Sequence, residues 1–212
     1  MIKKLVSSIL LFTFVTSCVE TVVIASATTS VIVVREKSLS DMQKDTTISA
    51  KLGTTFFEKG LKIPGNSIDI TVNEGRVLLT GIVDDVGRAK SASELAWGVP
   101  YVKEVIDEIQ IQDNKKPYLS RFTTTTSDYV ITANIETRLL LTPKISFTNY
   151  QITTVGKVVY VLGVALNNDE MQKVLSISAK AYGVEKVVNH AILADDVRRK
   201  SKAKTQDDKE NG

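Results

Sequence analysis

Two tandem α+β domains of the order αββαβ, each a three-stranded mixed sheet with two helices on one face, are what this 212-residue sequence predicts. Three observations carry the prediction. A succession of helix, hairpin, helix and strand is written twice, the second copy follows at a constant offset, and each element shows the apolar period of its type.

In the first copy Asp45 precedes Ile48, Leu52 and Phe56 at intervals of four; in the second, Asp128 precedes Ile131, Ile135 and Leu139. Each reads as a helix with an Asp N-cap and one apolar stripe. Period-two runs follow on both sides of a turn. They are Ile68, Ile70, Val72, then Asn73-Glu74-Gly75, then Val77, Leu79, Gly81; and Tyr150, Ile152, Thr154, then Val155-Gly156-Lys157, then Val159, Val161, Gly163. These are β-hairpins, and because glycine sits one place differently, the two turns are expected to differ in geometry. The second helix carries Val86, Ala89, Ala92 and Ala96 after Asp84-Asp85, and Met171, Val174, Leu175 and Ser178 after Asn167, which with Glu170 makes a capping box. A last strand closes each unit, through Ile111 and through Leu193. From the hairpin on, Val77, Leu79, Gly81, Val102 and Val105 recur 82 residues later as Val159, Val161, Gly163, Val184 and Val187.

The expected organisation is a signal peptide at 1–17, a lipidated N-terminus and tether at 18–44, a first domain at 45–112, a linker at 113–127, a second domain at 128–194 and a disordered tail at 195–212. The N-terminus has a charged start, Lys3-Lys4, and an apolar core from Leu5 to Val15, shorter than the roughly 20 residues that span a bilayer. It ends in Val15-Thr16-Ser17-Cys18, which resembles the lipobox of bacterial lipoproteins. That resemblance implies cleavage before Cys18, acylation of its thiol, and, with Val19 next, an outer-membrane lipoprotein facing the periplasm. It also gives the chain's one cysteine a use that needs no partner thiol. The competing site is Ala25-Ser26-Ala27, an A-x-A sequence whose cleavage yields a soluble periplasmic protein without Cys18.

Formal net charge is +3, and without Lys3 and Lys4 the chain is nearly balanced, so no general electrostatic attraction to nucleic acid is expected. No catalytic constellation, cofactor site or metal site is evident. With one His and one Cys, the usual zinc sets and Cys-His nucleophilic sites are out of reach. His190 is expected on a solvent-facing strand position, Asp84-Asp85 as helix caps, Trp97 in or beside the core, Gly81 and Gly163 easing strand ends, and Arg198 to Lys204 in a solvated tail.

Gly-Arg-Val-Leu-Leu-Thr-Gly at 75–81, Gly-Val-Pro-Tyr-Val-Lys-Glu-Val at 98–105, and their counterparts at 159–163 and 182–187 make the chain resemble the BON domain family. The resemblance implies a non-enzymatic envelope protein that binds phospholipid and supports outer-membrane integrity, with lipid contact on the first helix of the second domain. Tyr129, Val130, Arg138 and Lys144 are the candidate lipid-binding residues. Val130 stands where the lipid-contacting member carries Trp, and Glu136 where it carries a basic residue, so the preference for anionic lipid stays open. A periplasmic protein–protein adaptor, docking on envelope assembly machinery, is the alternative function.

Overall fold

The computed structural model describes residues 39–63, 66–112 and 118–200. Cys18, both cleavage sites, most of the tether, Pro117 and the tail beyond Lys200 lie outside the described residues. The first copy runs α1 (Leu39–Glu58), β1 (Lys62–Ile63), β2 (Asn66–Asn73), β3 (Arg76–Val83), α2 (Val86–Trp97) and β4 (Glu104–Ile111). The second runs α3 (Tyr118–Leu141), a 3-10 turn (Phe147–Asn149), β5 (Tyr150–Val155), β6 (Val158–Ala165), α4 (Asn168–Ala179), β7 (Lys186–Leu193) and α5 (Val197–Lys200).

Each copy makes its own mixed sheet. The hairpin strands pair antiparallel and the last strand joins the second of them in parallel, giving β1-β2-β3-β4 and β5-β6-β7. The two-residue β1 adds an edge that the sequence did not announce. Ile48, Leu52 and Phe56 are fully buried against Val77 and Leu79, and Ile135 and Leu139 against Val159 and Val161, so the spacing of four places each helix on one sheet face. Fully burying one such side chain contributes about 1.5–3 kcal/mol.

Gly81 and Gly163 open φ to +132° and +156° where the chain crosses the start of the neighbouring strand. An added Cβ would stand 2.1 Å from the Ser67 carbonyl oxygen in one copy and 2.4 Å from that of Asn149 in the other, a collision no side chain avoids.

Several expectations need correction. Asp45 and Asp128 are not N-caps, since α1 begins at Leu39 and α3 at Tyr118, inside the segments read as tether and linker. Instead, the Asp45 carboxylate accepts the N–H groups of Glu74 and Gly75, both at 2.8 Å, and that of Asp128 accepts from Gly156 at 2.7 Å and Lys157 at 2.9 Å. The two hairpin turns also share one geometry, with φ positive at both central residues: Glu74 (53°) and Gly75 (79°), Gly156 (57°) and Lys157 (66°). A two-residue turn of this hand matches the strand twist. The non-glycine residue in the left-handed region is tolerated because a carboxylate holds the turn's amides.

Asp85 caps α2, accepting from Gly87 N, but Asp84 is not a second cap and accepts from Asn66 Nδ2 at 2.6 Å. Asn167 caps α4 through the Glu170 N–H, whereas the Glu170 carboxylate reaches Leu166 and Ser146 instead of closing the capping box. Val86, expected on the buried stripe of α2, is exposed, and Trp97 at its end is 45% exposed. Among the described residues of the segment expected as a tail, Val197–Lys200 form α5. Arg199 grips Glu74 with two bonds of 2.8 and 3.0 Å, donates to the Ala194 carbonyl, and brings its own carbonyl to Lys103 Nζ.

The faces turned away from the helices meet each other. Leu78, Ile82 and Ile106 from one sheet and Val155, Tyr160, Leu162 and Val188 from the other form a third apolar cluster. This is why β3 and β6 are buried on both sides. Equivalent positions face one another: Thr71 Oγ1 lies 3.2 Å from Thr153 Oγ1, and His190 Nε2 lies 2.9 Å from Glu108 Oε1. His190 is therefore inside the contact between the sheets, not on a solvent-facing position. Its own carbonyl accepts from the buried Arg76, which also pairs with Glu104 at 2.5 Å.

Candidate lipid-contact site

The candidate residues lie on or just after α3. Asp128, Ile131, Ile135 and Leu139 take the buried side, so the helical repeat leaves Tyr129, Val130, Ala133, Thr137, Leu140 and Leu141 along the opposite side. Tyr129 is 73% exposed, Val130 65%, Leu140 66% and Leu141 76%. Tyr129 is thus well exposed, and two large apolar residues outside the candidate set, Leu140 and Leu141, extend the face by three helical turns.

The first domain provides an internal comparison. With the helices aligned on Asp45 and Asp128, the positions of Tyr129, Val130, Leu140 and Leu141 are held in α1 by Thr46, Thr47, Phe57 and Glu58. Both threonines turn their hydroxyls back onto α1, to the carbonyls of Met42 and Gln43, and only Phe57 is a large apolar residue in water. At these four aligned positions α3 exposes four apolar side chains and α1 one, a local specialisation.

Charge is sparse on this face. Arg138 is exposed on one flank and Lys144, in the left-handed region with φ 66°, is exposed just past the helix end. Glu136 stands half-buried on the other flank, where partial burial raises its carboxyl above the ordinary value of 4.5. Over residues 127–195 six Lys and Arg balance six Asp and Glu, while residues 44–113 hold eight against eleven.

Two neighbouring segments pack against the buried side of α3 around Asp128 and Ile131. Asp128 fixes the β5–β6 turn, whose Lys157 pairs with Glu185 at 2.8 Å. The loop after α4 lies against α3, with the position of a Cβ on Gly183 only 3.2 Å from Ile131 Cδ1. Tyr182 in this loop is 95% exposed. Among the described residues no cluster of His, Cys, Asp and Glu is arranged to hold a metal ion, and no helix is long and apolar enough to cross a membrane.

Comparison with known proteins agrees with the duplication. The BON domain family matches twice, at residues 44–113 and 127–195. An Anaplasma centrale protein described as "Uncharacterized protein in gshII 5'region" is 36% identical over 149 residues, covering 70% of this chain and 94% of the relative. The outer membrane lipoprotein DolP of Haemophilus influenzae is 24% identical over 188 residues, covering 88% of this chain and 94% of the relative. Among solved structures, CdsD, a structural protein of the type III secretion system of Chlamydia trachomatis, matches at 15% identity with a TM-score of 0.28, covering 68% of this chain and 62% of that one.

Proposed function

The chain belongs to the BON domain family, and from that premise we propose that it is a non-enzymatic lipoprotein of the bacterial envelope, anchored through Cys18, that binds phospholipid membranes through α3 and supports outer-membrane integrity. The observation that carries this is the exposed apolar face of α3, reduced to Phe57 at the equivalent positions of the first domain. Rings and branched aliphatic chains on a solvent-facing helix gain free energy by entering the headgroup and acyl boundary of a bilayer. Similarity to the lipoprotein DolP and the lipobox at Cys18 support placement at the outer membrane, facing the periplasm.

Acylation brings the folded domains to the surface, and α3 then sets which side faces it. A second attachment of this kind turns marginal interfacial affinity into stable binding, since the anchored helix is held at high local concentration.

The test uses residues 33–212, a compact unit that contains both cores and lacks Cys18. Sedimentation with phospholipid vesicles should recover the parent chain, and the Tyr129→Ser/Leu140→Ser double variant should lose most of that binding while Phe57→Ser keeps it. No binding by the parent, together with a recovered envelope protein partner, would replace this function by the adaptor. Mass spectrometry of the mature chain should find diacylglycerol on Cys18; an unmodified N-terminus at Thr28 would remove the anchor.

A further inference from the structure

The contact between the two sheets has the geometry of a symmetric dimer. In such a dimer the residues on the two-fold axis meet their own copies. Here Thr71 of β2 meets Thr153 of β5 and Glu108 of β4 meets His190 of β7, each pair 82 residues apart, which is the offset of the duplication. Leu78 with Tyr160, and Ile106 with Val188, are spaced by the same offset and lie together in the apolar cluster that both sheets share. Copies related by translation would set the open face of one sheet against the helices of the next; only a rotation of about half a turn brings like faces together. We propose that the chain is an internal heterodimer, its domains paired about a pseudo-two-fold axis through surfaces whose polar residues accept the unlike domain and reject a second copy of the same one.

The threonine and aliphatic contacts would serve any pair of copies, but the polar ones would not. On the axis Glu108 Oε1 lies 2.9 Å from His190 Nε2. Two first domains would set carboxylate on carboxylate there, and two second domains imidazole on imidazole. Away from the axis, Arg76 donates to the His190 carbonyl at 2.8 Å, and the counterpart of Arg76 in the second domain is Val158. Arg199 holds the Glu74 carboxylate with two bonds, and the counterpart of Glu74 is Gly156. Gln110 Nε2 donates to the Val155 carbonyl at 3.3 Å and to the Tyr160 hydroxyl at 3.2 Å, where the second domain has Ile192 in place of Gln110 and the first has Leu78 in place of Tyr160.

Each of these bonds depends on a side chain that only one of the two copies carries. A pair of first domains would bring two Glu74 carboxylates and no Arg199, and a pair of second domains would have neither Arg76 nor Gln110 to donate. Discrimination between partners is a difference of affinities, and an interface gains it by placing unsatisfied or like-charged groups against the wrong one. Apolar cover thus supplies the attraction, and the unlike polar pairs supply the choice. The apolar sheet faces, which would otherwise stack one molecule on another, are closed within a single chain. This pairing stands whatever α3 binds.

The test folds residues 33–212 with a protease site placed between Gln112 and Tyr118, cleaves there, and follows the two halves by gel filtration and native mass spectrometry. They should stay together as a complex of one half with the other, and no pair of like halves should form. Two variants then probe the axis. His190→Glu, which sets a carboxylate against Glu108, should weaken the association of the cleaved halves by about tenfold or more. Glu108→His/His190→Glu should return it to within about threefold of the parent, because a two-fold axis makes the exchanged pair geometrically equivalent to the original. Four results overturn the proposal: halves that separate at micromolar concentration, halves that form like pairs, a His190→Glu complex as tight as the parent, or an exchanged pair no tighter than His190→Glu. None of them touches the binding of vesicles by α3.

Discussion

At the residue scale, one aspartate per domain ties the first helix to the hairpin turn. Each carboxylate collects two adjacent backbone N–H groups from a turn whose two central residues have positive φ. Hydrogen bonds to a charged group contribute about 1.5–3 kcal/mol each, and losing this acceptor also strands the turn amides. Asp128→Ala should therefore lower unfolding stability by about 3 kcal/mol, with Asp128→Asn losing less, read from urea midpoints. A second residue carries the pH dependence of the candidate face. Burial raises the Glu136 carboxyl above 4.5, so its ionised form opposes folding; that cost is absent below the unfolded pKa and appears as pH rises through the higher folded one. Entry into a bilayer removes more water from Glu136, so vesicle binding should strengthen on acidification toward that window. Glu136→Gln should bind as tightly at neutral pH as the parent does in acid, with a flat profile.

At the element scale, the helices and strands were legible because each shows a single period. Ile48, Leu52 and Phe56, or Val77 and Leu79, leave one choice of element and one buried face. Misreading arose where a residue type has two uses. An Asp ahead of an apolar stripe is the signal of an N-cap, and also of a carboxylate aimed across a helix at a turn three elements away; nothing local separates them. The turn glycines misled in a similar way, since Glu74 and Lys157 adopt positive φ through a contact that the sequence does not display. On α3, Tyr129 and Val130 follow from the resemblance, whereas Leu140 and Leu141, next to the buried Leu139, are not among the candidates. Their exposure becomes readable only when each residue is assigned its angle around the helix. Tyr182 gave no periodic signal, and its place beside α3 follows from the packing of Gly183 on Ile131.

The whole molecule differs from two beads on a string. The runs Val77-Leu78-Leu79 and Val159-Tyr160-Val161-Leu162 are apolar at consecutive positions, the pattern of strands covered on both faces, and this was the available sign that the outer sheet faces meet. Arg76, His190, Glu108 and Arg199 then fix the contact with bonds that cross between domains. Domains joined in this way should unfold together. Residues 33–212 are expected to show one calorimetric transition, and Leu78→Asp/Tyr160→Asp, which places carboxylates in the third cluster, should split it into two. The two sheets joined in this way make a single body, so whatever orients one domain orients the other.

The most direct measurement of the central claim replaces Trp97 by Phe and Val130 by Trp in residues 33–212, leaving one indole on the outer side of α3. On addition of phospholipid vesicles its emission should shift to the blue and become inaccessible to an aqueous quencher. Vesicle binding with an unshifted, fully quenched indole would mean that the protein meets the membrane elsewhere, and would contradict the account.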